Sequence, residues 1–419
     1  LEGCARLKLF VFLLAIISCM SLAIMPTVAD DYVLQIFGNA NMDDTIDEND
    51  IVYVQGIIKG TNSATKLADA NYDGKIDLGD ITQIEQIIAE SEESITIVDD
   101  SAEQKNVTVV HPVNSIAVLS TYGAEALRSL KAEDKVICVS DPITEEYSLF
   151  FPEFSKLSTI GGMFSPDLEK LVAQNPDLVV AYAESPKPED FDSKLPSSIN
   201  VVHLDFTQAN LMCDDFKKLG YILDRTAEAE EITRFYEDFN AKIIEKVGNL
   251  SDDERPRVYI ESITPSTKSY SAIGKDSGPD SACNMAGGIN IAEHDGYKTV
   301  DPEWVASQDP DIIIAVLFTS LGCGYDHDNS TSIESVRNEI MSRPELAEVK
   351  AVRDGKVYCI STQVVAKPRY FVGVGYLAKW FHPDLFDDLD PEEINADYLE
   401  RFQGMPYRGV YVYPPLEEN

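Results

Sequence analysis

Two stretches early in the chain carry oxygen-bearing side chains at the spacing of a cation-binding loop. Asn39, Asn41, Asp43, Asp47 and Asp50 occupy loop positions 1, 3, 5, 9 and 12 of the first. Asp69, Asn71, Asp73, Asp77 and Asp80 occupy the same positions of the second, at an offset of 30 residues. A hard cation such as Ca2+ takes about six to eight oxygens in a flexible cage, with a backbone carbonyl at position 7. Thr45 and Lys75 stand there. Position 6 demands a sharp turn, which Gly74 supplies in the second loop. In the first loop Asp44 is expected to adopt a left-handed backbone at a cost of ~1–2 kcal/mol. The second loop is therefore expected to hold its ion more tightly. Position 12 is aspartate rather than glutamate, and no entering helix precedes either loop.

A helix follows each loop, with apolar residues at Ile51, Val54, Ile57 and Ile58 and at Ile81, Ile84, Ile87 and Ile88. This duplicated loop-plus-one-helix layout resembles the dockerin family over residues 31–90, a small α-helical domain with paired calcium loops. The resemblance implies two Ca2+ ions and a cohesin-bearing partner. In that family loop positions 10 and 11 help set partner choice; they correspond here to Glu48, Asn49, Leu78 and Gly79. A calcium-stabilised domain without a partner is the alternative.

A second repeat lies further along. DLEKLVAQNPDLVVAY (167–182) and DPEWVASQDPDIIIAV (301–316) align without a gap at an offset of 134. In each, an aspartate (Asp167, Asp301) suits an N-cap, and a glutamate (Glu169, Glu303) sits where the helix dipole favours negative charge. Pro302 fits the first helical position. A buried strand follows each helix.

These phrases belong to a longer alternation. Ile95–Val98 and Val107–Val110 read as a hairpin. Strands are then expected at Ile116–Leu119, Lys135–Val139, Leu178–Ala181, Val201–Leu204, Arg257–Glu261, Ile312–Val316 and Lys356–Ile360. Short βα spacing argues for parallel sheets covered by helices. Thr226–Leu250 carries Ala229, Ile232, Phe235, Tyr236, Phe239, Ile243 and Val247 on one face, a helix long enough to run the length of a domain. The expected fold is thus α/β: two α/β lobes joined by a long helix, preceded by the calcium-loop domain. The boundaries are 31–90 for that domain and 93–419 for the body. Within the body, lobe 1 spans about 107–224, the linking helix 226–250, lobe 2 about 256–382 and a C-terminal extension 383–419.

The chain has 419 residues, with 72 acidic side chains against 34 basic, a formal charge of −38. So acidic a surface argues against a duplex-binding role, which relies on a basic one. Residues 1–29 read as an export signal: Arg6 and Lys8 precede an apolar run, with cleavage after Ala29 or, as in a lipoprotein, before Cys19. The protein is expected outside the cytoplasm or at the cell surface, soluble or tethered at its N-terminus. Cys138 and Cys359 sit in apolar runs and are expected to pack as small hydrophobes. Cys213, Cys283 and Cys323 lack zinc-type spacing, and their pairing stays open.

From Ile95 onward the chain resembles the iron-complex/cobalamin class of ABC-transporter substrate-binding proteins. The phrases that carry this are ITIVDDS, IGG(x)4DLEKLVAQNPDLVVAY, RPRVYIES, GKDSGPDSACNMAGGINIA, DPEWVASQDPDIIIAV and AVRDGKVYCIS, in that order. The resemblance implies capture of a metal chelate outside the membrane, delivery to an ABC permease, and no enzymatic activity. It implies that Glu169 and Glu303, one per lobe, pair with arginines of the permease. Candidate pocket residues lie in loops after strands. Tyr122, Tyr147, Phe150, Phe164 and Tyr182 come from lobe 1; Tyr270, Lys275, Tyr325, Arg369 and Tyr370 come from lobe 2. Aromatics would stack on a flat chelate, and basic groups, above all the KPRY cluster at 367–370, would neutralise an anionic one. A ferric siderophore is expected first, with haem and corrinoid open.

Two rivals remain. A receptor for bare Zn2+ or Mn2+ needs converging His, Asp and Glu ligands, and the five histidines (His111, His203, His294, His327, His382) are scattered, with CGYDHD (323–328) the one cluster to test. A dockerin-borne carbohydrate-active enzyme needs only two carboxylates, although no GxSxG, HExxH or Walker A motif is present.

Overall fold

The computed structural model describes residues 32–266 and 270–416. The export signal and its cleavage sites lie outside the described residues. Helix α1 (Glu48–Lys59) follows the first loop and α2 (Leu78–Ile88) the second. Each starts on a reciprocal capping box. The position-9 aspartates Asp47 and Asp77 are the N-caps, and the position-12 aspartates Asp50 and Asp80 accept from the cap backbone. The carboxylates that close the loops therefore also start the helices.

Strands β1 (Ser94–Val98) and β2 (Asn106–Val110) form the expected antiparallel hairpin. Residues 35–37 pair with the free edge of β1, Phe37 N donating to Thr96 O and Val98 N to Gln35 O, both at 2.9 Å. Leu34, Ile36, Val54 and Ile84 join one hydrophobic core with residues of the body.

Lobe 1 comprises β3 (Ile116–Val118), α3 (Thr121–Ser129), β4 (Val136–Val139), β5 (Ser158–Thr159), α4 (Leu168–Gln174), β6 (Leu178–Tyr182), β7 (Asn200–Leu204) and α5 (Ala209–Leu223). Its five strands run parallel in the order β5-β4-β3-β6-β7. Their apolar runs lack alternation because helices cover both faces. Helix α6 (Thr226–Val247) then links the lobes and buries Ala229, Ile232, Tyr236, Phe239, Ile243 and Val247, the face its periodicity predicts.

Lobe 2 comprises β8 (Arg257–Ile263), β9 (Ser271–Ile273), α7 (Gly278–Met285), β10 (Tyr297–Thr299), α8 (Pro302–Gln308), β11 (Ile312–Leu317), α9 (Thr331–Met341), β12 (Val357–Ser361), α10 (Tyr370–Phe381), α11 (Pro391–Gln403) and β13 (Val412–Tyr413). Its sheet runs β10-β9-β8-β11-β12-β13. The expected strands β8, β11 and β12 are parallel, as is the short segment Ile289–Asn290 against β8, whereas β9, β10 and β13 add antiparallel edges. These edge strands are two or three residues long, too short to leave a period in the sequence. The C-terminal extension is also structural rather than appended. Strand β13 completes the lobe 2 sheet, while α11 reaches lobe 1 through Gln403 Nε2, which donates to Ser129 Oγ at 2.6 Å.

Candidate functional site: the cleft between the lobes

In an open α/β sheet the ligand crevice lies beyond the carboxyl ends of the strands, where strand order reverses. In lobe 1 that point falls between β3 and β6. Tyr122 stands in the first turn of α3, which Ser120 caps through the N–H of Gly123. Tyr182 ends β6. Their rings meet edge to face at 5.5 Å. Tyr147 joins them from the loop after β4.

Lobe 2 answers with two groups. Thr319 follows β11, and its hydroxyl lies 3.1 Å from Tyr147 Oη. Lys367 follows a short helix after β12 and holds a left-handed backbone, φ 69°. Its ammonium lies 5.1 Å from the centre of the Tyr122 ring and 5.7 Å from that of Tyr147, and donates to Tyr147 Oη at 3.5 Å. Cation–π contact of this kind strengthens as water is excluded.

The electrostatics isolate that ammonium. Burial alone would lower the pKa of Lys367, but the phenols of Tyr147 and Tyr122 outweigh it and the pKa is raised. Burial pushes Tyr122 up to about 12, so it stays a neutral donor. Among the described residues Lys367 enters no ion pair, whereas the buried Lys218, Arg128, Arg343 and Arg369 each do. The cleft thus presents a charged donor with no direct ion-pair partner among the described residues, ringed by phenols. Such a site suits an anion with an apolar or aromatic body.

The structure brings together Tyr122, Tyr147 and Tyr182. Phe164 stands at 66% exposure one residue from Met163, whose sulfur accepts from Tyr122 Oη at 3.9 Å. Four other expected pocket residues lie in the core instead. Arg369 pairs with Glu125 at 2.9 Å. Phe150 is clasped between Arg128 and Arg369, at 4.5 and 4.6 Å. Tyr325 Oη donates to Pro406 O, and Tyr370 Oη bonds to Asn240. Tyr270 lies in a separate network: its hydroxyl donates to Glu345 at 2.6 Å, and Arg343, paired with Glu261, covers its ring. Lys275 is exposed in the loop after β9.

Lys367 and Thr319 complete the cleft. The KPRY cluster contains the first, and its other cation, Arg369, pairs with Glu125 in the core. Residues 367–369 form a single 3-10 turn, so residues two apart point away from one another, and Arg369 turns inward while Lys367 stays at the cleft. For Thr319 only its position after a strand hinted at a role.

At the lobe surfaces, Glu169 and Glu303 occupy equivalent places. Each is exposed in the first turn of a seven-residue helix, α4 or α8. Asp167 caps the first by accepting from Lys170 N at 3.1 Å, and Asp301 the second by accepting from Glu303 N at 2.8 Å. Both helices end on a left-handed residue, Asn175 and Asp309. The strand that follows pairs with the first strand of its lobe, β3 or β8. Neither glutamate forms an ion pair among the described residues.

The two loops share one hydrogen-bond scheme and differ at position 6. In the second, Asp69 accepts from Asp73 N and Gly74 N, Asn71 from Asp73 N, and Asp80 from Asn71 N and Asp77 N. Gly74 is left-handed at φ 89°. Asp73 in turn accepts from Lys75 N and Asp77 from Gly79 N, so the oxygen-bearing side chains of the second loop order its own backbone. In the first loop Asp44 does not take up the expected left-handed backbone; position 4 is left-handed in both loops, Met42 at φ 64° and Tyr72 at φ 55°. The Asp44 carboxylate and carbonyl both accept from Lys217 Nζ at 2.7 Å. Asn39 turns its amide N–H groups on Leu34 O and Asp43 O. The first loop, with Asn39, Asn41, Asp43, Thr45, Asp47 and Asp50 at its oxygen positions, is tied to α5 through Asp44 at position 6.

The histidines occupy separate settings. His203 contacts Asp192, His382 contacts Gly287 O, His294 lies beside Asp295, and His111 lies between Glu92 and Asp224. In CGYDHD, Cys323 is buried against Leu317 O and Phe318 O, and Asp328 pairs with Arg408. All five described cysteines are free buried thiols.

Comparison with known proteins agrees with this architecture. The molybdate-binding protein MolA of Haemophilus influenzae is 21% identical over 345 residues, 74% of this chain and 92% of that protein. A vitamin B12-binding protein of Vibrio cholerae is 20% identical over 259 residues, 61% of this chain and 84% of that one. The crystal structure of the TroA-like periplasmic binding protein FepB from Veillonella parvula superposes with a TM-score of 0.64 at 20% identity, covering 77% of this chain and 99% of that one. The model of the family described as periplasmic binding protein matches residues 116–364, from β3 to the helix before Lys367, and the chain belongs to that family.

Proposed function

We propose that this protein is the exported receptor of an ABC importer, and that it captures an anionic metal chelate or metal oxyanion between its lobes. The observation that carries this reading is the unpaired Lys367 ammonium over Tyr122 and Tyr147 where the lobes meet. A ferric siderophore, with its anionic ligand set and aromatic rim, matches such a site best. Relatives named for molybdate and for vitamin B12 support a metal-bearing cargo without choosing among them. The dispersed histidines make a bare-metal receptor the weaker alternative.

Delivery would use the matched faces of α4 and α8. Glu169 and Glu303, exposed and without internal partners, offer one anion per lobe to cationic groups on a two-fold permease, contributing orientation and on-rate. The N-terminal module would bind Ca2+, foremost in its second loop. It would present Glu48, Asn49, Leu78 and Gly79 to a cohesin-like partner, and Leu78, at 71% exposure, supplies apolar area for such a contact. No catalytic role is assigned.

The test is native mass spectrometry of the purified chain against ferric siderophores, haem, corrinoids and molybdate, with and without Ca2+, followed by Trp304 and Trp380 fluorescence. One class is expected to bind with 1:1 stoichiometry, independently of Ca2+. Binding of none, or hydrolysis of polysaccharides by the chain, would overturn the reading.

A further inference from the structure

Outside the cleft and the cation loops, three segments converge on one point. Glu92 lies in the link between α2 and β1, His111 follows β2, and Asp224 caps the C-terminus of α5 just before the linking helix α6. His111 Nδ1 stands 3.5 Å from Glu92 Oε1 and 3.5 Å from Asp224 Oδ1. One ligand atom from each of the three residues lies within 4.8 Å of the others.

The side chains of Glu92 and His111 are only 2% and 5% exposed, yet among the described residues Glu92 Oε2 has no hydrogen-bond partner, while His111 turns Nδ1 toward both carboxylates. Leaving buried polar atoms unmatched costs about 1–3 kcal/mol each. A direct charge-assisted bond would draw the groups to about 2.7–2.9 Å. The two 3.5 Å separations from His111 Nδ1 are close to the edge of a coordination tetrahedron, in which ligand atoms about 2.0–2.1 Å from one ion lie ~3.4 Å apart. The nearby cation Lys135 does not compete for the centre, because its ammonium donates to Val113 O at 2.8 Å. Asp224 is one-third exposed and leaves a side open for a fourth, water ligand.

We propose that Glu92, His111 and Asp224 form a binding site for a divalent d-block cation of the zinc type. One imidazole nitrogen and two carboxylates suit zinc better than calcium, which takes oxygen ligands in larger number. The site joins the base of the hairpin, the end of α5 and the chain leaving the N-terminal module. Its ion acts as a structural clamp where module and body meet.

The full chain, saturated with Ca2+ to occupy the loops, is titrated with Zn2+ and separately with Co2+. One equivalent of Zn2+ is expected by native mass spectrometry, with a rise in Tm of at least about 2 °C and a tetrahedral ligand-field spectrum for Co2+. Glu92→Gln with Asp224→Asn is expected to weaken Zn2+ by at least about a hundredfold, more than loss of a supporting contact causes. The single variant Asp224→Asn, at a one-third exposed position whose left-handed backbone asparagine tolerates, checks the result in a chain whose circular dichroism matches the parent. Three outcomes overturn the proposal: no Zn2+ bound by the calcium-saturated parent, equal binding by the double variant, or an octahedral Co2+ spectrum.

Discussion

At the scale of single residues, the cleft turns on one ammonium. Replacing Lys367 by Gln keeps length and polarity but removes the charge, and a hydrogen bond to a charged group is worth about 1.5–3 kcal/mol. Lys367→Gln is therefore expected to weaken an anionic cargo by about 10- to 100-fold in a fluorescence titration, with Tm nearly unchanged. Arg369→Gln should do the reverse. It leaves Glu125 buried and unpaired, at a cost of about 3–5 kcal/mol in stability, without a specific effect on ligand affinity once folding is accounted for. Equal behaviour of the two variants would contradict the division of labour within KPRY. The raised pKa of Lys367 also fixes a sign. The lysine stays protonated below its ordinary 10.5 and through some range above it, so affinity for a ligand that does not itself titrate should be level between about pH 6 and 9.

Predictions at the scale of elements concern helix starts. Asp301→Ala removes the side chain that accepts from Glu303 N at the start of α8 and should cost about 0.5–2 kcal/mol in chemical denaturation. Reversing charge at both Glu169 and Glu303 should abolish uptake in a reconstituted transport assay while leaving cargo affinity at its parent value; a parallel loss of cargo binding would remove the docking role. In the N-terminal module, Asp77 and Asp80 cap α2 and close the second loop. Asp80→Ala is expected to abolish the calcium-dependent rise in Tm, whereas Asp50→Ala in the first loop should spare most of it.

For the molecule as a whole, the N-terminal module is continuous with the body. In the fold it shares a core with the body, its residues 35–37 pair with β1, and its first loop is pinned to α5. Gln35 N donates to Asp214, Ile46 N to Tyr221 Oη, and Lys217 reaches back to Asp44. Beneath these contacts Lys218 is buried between Asp100 and Asp214, at 2.6 and 2.7 Å. Lys218→Ala should cost about 3–5 kcal/mol by stranding those carboxylates. Calorimetry of the full chain should show module and body melting in one transition. A separate early transition that tracks Ca2+ would mean that the module unfolds by itself.

Much of this was legible in the residues. The hairpin, the seven strands expected after it, the two loop helices and the linking helix fall within a few residues of their expected positions, because each carries a strong local period or a cap. The matched settings of Glu169 and Glu303 were legible for the same reason: aspartate caps and first-turn glutamates act within one helical turn. What only the tertiary structure decided is which polar groups find partners. KPRY places two cations two residues apart, and nothing local says that Glu125, 244 positions before Arg369, claims one and leaves the other at the cleft. The two loops look alike in sequence, yet Lys217 of α5, 173 positions from Asp44, ties the first of them to the body. Pairing of this kind depends on residues distant in the chain, and no local propensity records it.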